Sequence, residues 1–157
     1  MNTELRNFYI GSGTDKQGRL IQEIWSWSAR NLEESQNYIQ WLFPLTEPSL
    51  HYPDAPLLDD ETIEAFLAEK YLKQNLNISF ELMMSFYHFD RENPDELHWV
   101  NPGNHNYLRL TRILTSLNLL GAKDQSRTMY EKLIQISAKH PGEIGSVTLQ
   151  YWEAALM

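Results

Sequence analysis

Two arginines, Arg109 and Arg112, are the residues whose type and spacing point most directly to a chemical role. Guanidiniums three positions apart lie on adjacent turns of one helix face, where they can receive a carboxylate or phosphate in bidentate fashion. His105 and Ser116 lie four positions before and after this pair, which extends the polar stripe along the helix. No Asp or Glu occurs in Leu97–Lys123, so the stripe lies in a locally positive segment of an acidic chain. The pattern predicts an anion or carboxylate site.

The same stripe has two structural explanations. It can be an ordinary solvated helix face, which needs no partner at all. The arginines can equally form salt bridges with the acidic first half of the chain, for example with Glu33, Glu34 or Asp60. Residue types and spacing do not separate these explanations from a ligand site.

A second constellation lies in the segment Tyr38–Pro44, which is rich in aromatic residues. A helix is predicted from about Leu32 to Phe43, ended by the proline that follows. Gln40 and Trp41 fall off the apolar stripe of that helix, and a Trp near the surface can pack a ligand on one face and bond it through its N–H. Packing in the core explains the same residues, so a ligand site is one of two interpretations.

Motifs for catalysis and for metal binding are absent or incomplete. Gly13 and Gly18 have the spacing of a phosphate-binding loop, but the Lys and Ser/Thr that would follow are missing. The chain has no cysteine, which excludes thiolate nucleophiles and zinc–thiolate sites, and the acidic run at residues 59–61 is explained as a helix N-terminus. The five histidines are scattered singly, at positions 51, 88, 98, 105 and 140. We therefore predict no catalytic residue, no metal site, no cofactor and no enzymatic activity.

Length and composition are typical of one ordinary soluble domain, predicted to cover residues 1–157. Thirteen Lys and Arg against 21 Asp and Glu give a charge of −8, which argues against a nucleic-acid partner. The longest apolar run, Trp41–Leu45, is far shorter than the roughly 20 residues that cross a membrane. Since no signal-peptide core or basic nuclear signal is seen, a cytoplasmic location is expected. No pattern indicates the oligomeric state.

Helices must position both constellations, because no run alternates in hydrophobicity with a period of two for long. The helix that carries the two arginines is predicted to begin near Asn104 and to end at Gly121, and another is predicted to begin at Asp59. Apolar spacing predicts further helices around residues 20–27, 72–87, 124–138 and 143–156, and a polar loop between Asn93-Pro94 and Asn101-Pro102-Gly103. The expected fold is all-α, a single-domain bundle of about six helices.

Together, the segments Tyr38–Pro44, His105-Asn106 and Arg109–Leu114 resemble the conserved region of the opioid growth factor receptor family. The resemblance runs from about residue 7 to residue 155 and implies a shared fold. Four shorter segments support it: Phe8-Tyr9, Ala55-Pro56-Leu57, Met84-Ser85-Phe86-Tyr87 and Tyr151-Trp152.

The resemblance implies a ligand and no reaction. Vertebrate members of the family are described as receptors for the pentapeptide methionine-enkephalin, which act as growth inhibitors associated with the nucleus. Those members carry basic import signals and C-terminal repeats beyond the conserved region, so this chain is expected to correspond to the bare domain. No catalytic residues are attributed to the family, and none is carried over.

We therefore predict a receptor-like domain that binds a short peptide or a carboxylate-bearing small ligand without catalysis. An arginine would hold the carboxylate, while aromatic rings would pack against an apolar group of the ligand. Two alternatives stay open: haem or a similar tetrapyrrole bound between helices, suggested by aromatic and Met residues near His88 and His105, and a purely structural interaction module. The ligand-binding candidates are Tyr38, Gln40, Trp41, His105, Asn106, Arg109 and Arg112.

Overall fold

A computed structural model describes residues 1–91 and 97–157 of the chain. In these residues it contains helices and no strand, which confirms the expected all-α class. The nine helices of the described part exceed the expected count of about six. They are α1 (Thr3–Tyr9), α2 (Ile21–Trp25), α3 (Ala29–Glu34), α4 (Ile39–Leu42), α5 (Asp60–Ala68), α6 (Lys70–Phe86), α7 (Asn106–Leu119), α8 (Lys123–Lys139) and α9 (Ser146–Ala154).

The chain divides into two compact units, with the boundary inside α6. Unit 1 comprises Met1–Leu82 and unit 2 comprises Met83–Met157. The two arginines lie in unit 2, whereas the aromatic segment lies in unit 1. The beginning of the expected polar loop, at Asn93-Pro94, falls outside the described residues. A single domain over residues 1–157 stays a prediction.

In unit 1, the helix expected over residues 32–43 is two helices, α3 and α4, which accounts for part of the higher count. The chain leaves α3 at Ser35, whose backbone is extended (ψ 147°), and Asn37 takes a left-handed conformation with φ 66°. Asn tolerates this conformation better than most residues do. The break turns Tyr38 inward, and its hydroxyl donates a 2.5 Å hydrogen bond to the carbonyl of Leu32.

The N-terminal helix α1, which the sequence analysis does not predict, supplies part of the core of unit 1. Asn2 caps it, since the side chain accepts a hydrogen bond of 3.1 Å from the backbone N–H of Leu5. Its inner face buries Leu5, Phe8 and Tyr9 completely. This face packs against α4, with the rings of Phe8 and Trp41 centred 5.2 Å apart.

Two helix ends match the predicted signals. The carboxylate of Asp59 accepts a 2.8 Å hydrogen bond from the backbone N–H of Thr62, so it caps α5 as expected. In unit 2, α7 ends at Leu119, and Gly121 follows with φ 84°, a conformation that glycine adopts without the strain of a side chain. Both signals are local, which is why the sequence reveals them.

Candidate functional site

Two of the candidate ligand residues, Tyr38 and Trp41, lie in the core of unit 1 with no exposed surface. The Tyr38 ring meets Trp27 edge to face at 5.3 Å. The indole N–H of Trp41 donates to the hydroxyl of Tyr52 at 3.3 Å. A ligand cannot stack on either ring while unit 1 keeps this packing, so both residues have a sufficient role in the core.

Gln40, the third candidate in unit 1, differs from its neighbours because it is only half-buried. Its Oε1 atom is nevertheless enclosed, and it accepts no hydrogen bond within the described part of the chain. Most buried polar atoms have a partner, and leaving one without a partner costs stability. The Oε1 atom of Gln40 can therefore accept a hydrogen bond from a donor group. It is poorly solvated in the environment where it lies.

In unit 2, Asn106 is fully buried and holds the start of α7 in place. The Tyr87 hydroxyl donates to its Oδ1 at 3.0 Å, and its own backbone N–H donates to Oδ1 of Asn104 at 2.8 Å. The first bond connects the first turn of α7 to the chain just after α6, and the second lies within the residues that lead into α7. Asn106 thus positions the helix face that carries the arginines, and its own side chain is too buried to contact a ligand.

The accessible part of the stripe consists of His105, Arg109 and Arg112. His105 is exposed, and both arginines are half-buried. Desolvation by burial lowers the pKa of the Arg112 guanidinium to about 10, so the group is still charged at neutral pH. Ser116, which the spacing placed on the same stripe, is completely buried, and the polar face therefore ends near Arg112.

Leu108, an apolar residue beside these arginines, is 67% exposed and is not among the candidates predicted from the sequence. It lies outside the apolar positions that α7 buries, which include Leu110, Ile113 and Leu114. That departure from the helical pattern is the signal that could have identified it. With Leu108, the exposed face of α7 offers an apolar contact next to its cations.

The scaffold behind this face is well packed, since α7 contacts both α8 and α9. The Ser126 hydroxyl of α8 donates to the carbonyl of Leu114 at 3.0 Å. The Trp152 indole of α9 donates to the carbonyl of Tyr107 at 3.3 Å, and the two rings meet edge to face at 5.8 Å. Groups carried by such a helix keep their relative positions, as a binding site requires.

Other kinds of site find little support in the part of the chain that the structure describes. No group of three or more His, Cys, Asp or Glu side chains within residues 1–91 and 97–157 could hold a metal ion. Of the described helices, none has the length and apolar character needed to cross a membrane.

Glu34, one of the carboxylates considered as a partner for the arginines, pairs with Arg30 on α3 at 3.2 Å.

Comparison with known proteins gives consistent results. The sequence-family model of the opioid growth factor receptor (OGFr) conserved region matches residues 7–156. The chain is 40% identical to the opioid growth factor receptor of Rattus norvegicus in an alignment of 119 residues that covers 66% of this chain and 20% of the rat protein. It is 30% identical to opioid growth factor receptor-like protein 1 of Xenopus tropicalis in an alignment of 131 residues that covers 74% of this chain and 25% of that protein.

The matched region is thus about a fifth to a quarter of the length of these relatives. No solved structure matches the chain significantly. Because the family match covers nearly the whole sequence, the chain belongs to the opioid growth factor receptor conserved-region family.

Proposed function

We propose that this protein is a non-catalytic, receptor-like domain that binds a carboxylate-bearing ligand on the exposed face of α7. A short peptide is the ligand that this proposal favours. Arg109 and Arg112 hold the carboxylate in this proposal. His105 extends the polar face by one turn, and Leu108 contacts an apolar group of the ligand. Tyr38, Trp41 and Asn106 support the fold and take no direct part in binding.

The observation that carries the proposal is the half-buried position of Arg112 in a segment without carboxylates. Burial lowers its pKa to about 10 because a guanidinium loses hydration there. Charges attract more strongly where water is excluded, so an anion that reaches this position gains more than it would beside a fully hydrated arginine. Arg109, one turn away, provides a second planar donor group.

The peptide class of ligand has two supports. The relatives with 40% and 39% identity are named as receptors for opioid growth factor, which makes a ligand-binding role the family's expected one. In this chain, exposed Leu108 beside two cations suits a peptide that ends in an apolar residue with a free carboxylate. An inorganic anion would use the arginines but would gain nothing from Leu108.

A calorimetric screen of short peptides, enkephalin included, tests the proposal with three variants. Each of Arg109→Ala and Arg112→Ala should weaken binding about 10- to 150-fold, because a hydrogen bond to a charged group contributes roughly 1.5–3 kcal/mol. Arg127→Ala, at an exposed position of α8 in the same unit, is the control and should leave the affinity unchanged. Equal affinities for all four proteins would remove α7 as the site.

Thermal unfolding of the same variants separates binding from a purely structural role. A structural interaction module predicts that Arg112→Ala lowers the melting temperature and that no peptide binds to any of the proteins. The binding proposal predicts that the added peptide raises the melting temperature of the wild type more than that of Arg112→Ala.

A further inference from the structure

Two imidazoles meet just after the end of α6, in unit 2 and away from the arginines in the sequence. The ring centres of His88 and His98 are 6.0 Å apart, and the ring planes make an angle of 67°. His88 is half-buried and His98 is exposed, so solvent reaches the pair. In the sequence all five histidines are scattered singly, and ten positions separate these two.

The backbone at His88 has an uncommon conformation that directs the chain out of α6. His88 has φ 62°, in the left-handed region, which histidine enters more readily than most residues. Its N–H donates to the carbonyl of Ser85 at 3.1 Å, and its carbonyl accepts from the N–H of Arg91 at 3.3 Å. This turn determines the position of the His88 imidazole.

Two side-chain contacts join the residues next to His88 to His98 and the residue after it. The indole N–H of Trp99, the residue after His98, donates at 3.3 Å to the carbonyl of Tyr87, the residue before His88. The His98 ring itself packs edge to face on Phe86 at 4.9 Å. The two short segments that carry the imidazoles, residues 86–88 and 98–99, are therefore in direct contact.

The sequence neighbours of the two histidines are buried aromatic residues that pack against one another. Tyr87 and Trp99 have no exposed surface, and Phe89 is almost completely buried. The Trp99 ring meets those of Tyr87 and Phe89 edge to face, at 5.5 and 5.7 Å. Ligands that are carried on a rigid platform lose little freedom on binding a metal, which favours a preformed site.

The spacing of the rings suits one metal ion between them. With metal–nitrogen bonds of about 2.0–2.1 Å, two imidazoles on the same ion have ring centres roughly 5–6 Å apart. Imidazole is a preferred ligand of Zn²⁺, Cu²⁺ and Ni²⁺, and among these Cu²⁺ generally binds a given nitrogen site most tightly. The observed 6.0 Å separation of the His88 and His98 ring centres lies at the upper end of that range.

We infer that His88 and His98 form a two-imidazole site for a divalent transition-metal ion, with water completing the coordination. The site differs from a closed structural cage, which needs three or four protein ligands. It is independent of the peptide site proposed above, since neither histidine lies on α7. An ion at this position would also fix the turn after α6 by joining the two segments.

Titration of the whole chain with CuCl₂ tests this inference, by calorimetry and by electron paramagnetic resonance of the bound ion. One Cu²⁺ per chain with two nitrogen ligands is expected. His98→Gln should weaken binding by roughly tenfold or more, since even indirect partners of metal ligands contribute 10–100-fold. His88→Asn should do the same, and Asn suits the left-handed backbone at this position.

His140→Gln is the matched control, because His140 is an exposed histidine of the same unit at the end of α8. It should bind Cu²⁺ as the wild type does. If His88→Asn does not fold, His98→Gln alone decides the question. Wild-type affinity in His98→Gln, or a resonance spectrum with a single nitrogen ligand, would overturn the two-imidazole site.

Discussion

The Tyr87 hydroxyl donates a 3.0 Å hydrogen bond to the side-chain oxygen of Asn106, and both residues are completely buried. This bond joins the chain just after α6 to the first turn of α7 within unit 2. Arg109 and Arg112 lie three and six residues after Asn106 on α7. A pair of core residues thus sets the starting point of the helix face on which binding is proposed.

Removing that hydroxyl should destabilise unit 2. Tyr87→Phe keeps the ring but leaves Oδ1 of Asn106 without this donor, so we expect the free energy of unfolding to fall by about 1–3 kcal/mol. Chemical denaturation measures the change. Tyr71→Phe is the control, because Tyr71 is 75% exposed and its replacement should have little effect. A loss of the same size in both variants would show that the buried bond contributes nothing specific.

Replacing Trp41 should affect stability and leave binding unchanged. Trp41→Phe removes the N–H that reaches Tyr52 and leaves a small cavity against Phe8, which should cost about 1–3 kcal/mol. The folded fraction should bind peptide as tightly as the wild type. Calorimetry and a melting curve on the same sample test both statements. A weakened affinity with an unchanged melting temperature would instead return Trp41 to the binding site.

Gln40 should tolerate an apolar substitution. Gln40→Met has nearly the same shape and removes the enclosed Oε1 atom, whose missing hydrogen bond costs roughly 1–3 kcal/mol in a typical protein. We expect a free energy of unfolding equal to or higher than that of the wild type. Gln36→Met, at an exposed position of the same unit, provides the comparison. A clear loss of stability in Gln40→Met alone would mean that this oxygen has a stabilising donor.

The cap of α5 should make stability depend on pH under acidic conditions. The hydroxyl of Thr62 and then the α-ammonium of Met1, 2.9 Å away, bond to Asp59 and lower its pKa from 3.8 to about 2. Because the folded-state pKa is the lower one, the stabilisation is present above pH 3.8 and is lost as the pH falls towards 2.

Asp59→Asn provides the test for this pH dependence, since Asn can still cap the helix but cannot pair with the ammonium. Melting temperatures of Asp59→Asn and wild type should differ most above pH 4 or so and converge near pH 2. Asp60→Asn, at the neighbouring exposed position, should show a smaller difference over the same range. A constant gap between wild type and Asp59→Asn at all pH values would contradict the assignment.

The features that could be predicted from the sequence are those that depend on a few neighbouring residues. The start of α5 at Asp59 and the end of α7 before Gly121 follow from local capping chemistry. The arginine pair follows from helical spacing alone, since α7 was expected on independent grounds. The all-α class follows from the lack of alternating patterns.

The features that could not be predicted depend on contacts between distant residues. The break between α3 and α4 exists because Tyr38 is buried against Trp27 and Leu32, which no local pattern specifies. The four-residue helix α4 buries Trp41 as well as Leu42, so residues off its apolar stripe also belong to the core. The approach of His88 and His98 depends on the bond from Trp99 to Tyr87.

The central claim is that the arginines of α7 bind the carboxylate of a ligand, and a double-mutant cycle tests it most directly. One peptide from the screen, as the free acid and as the C-terminal amide, is titrated into wild type and into the Arg109→Ala/Arg112→Ala variant. We expect amidation to weaken binding to the wild type about tenfold or more and to leave binding to the variant nearly unchanged. An equal effect of amidation on both proteins would contradict the claim.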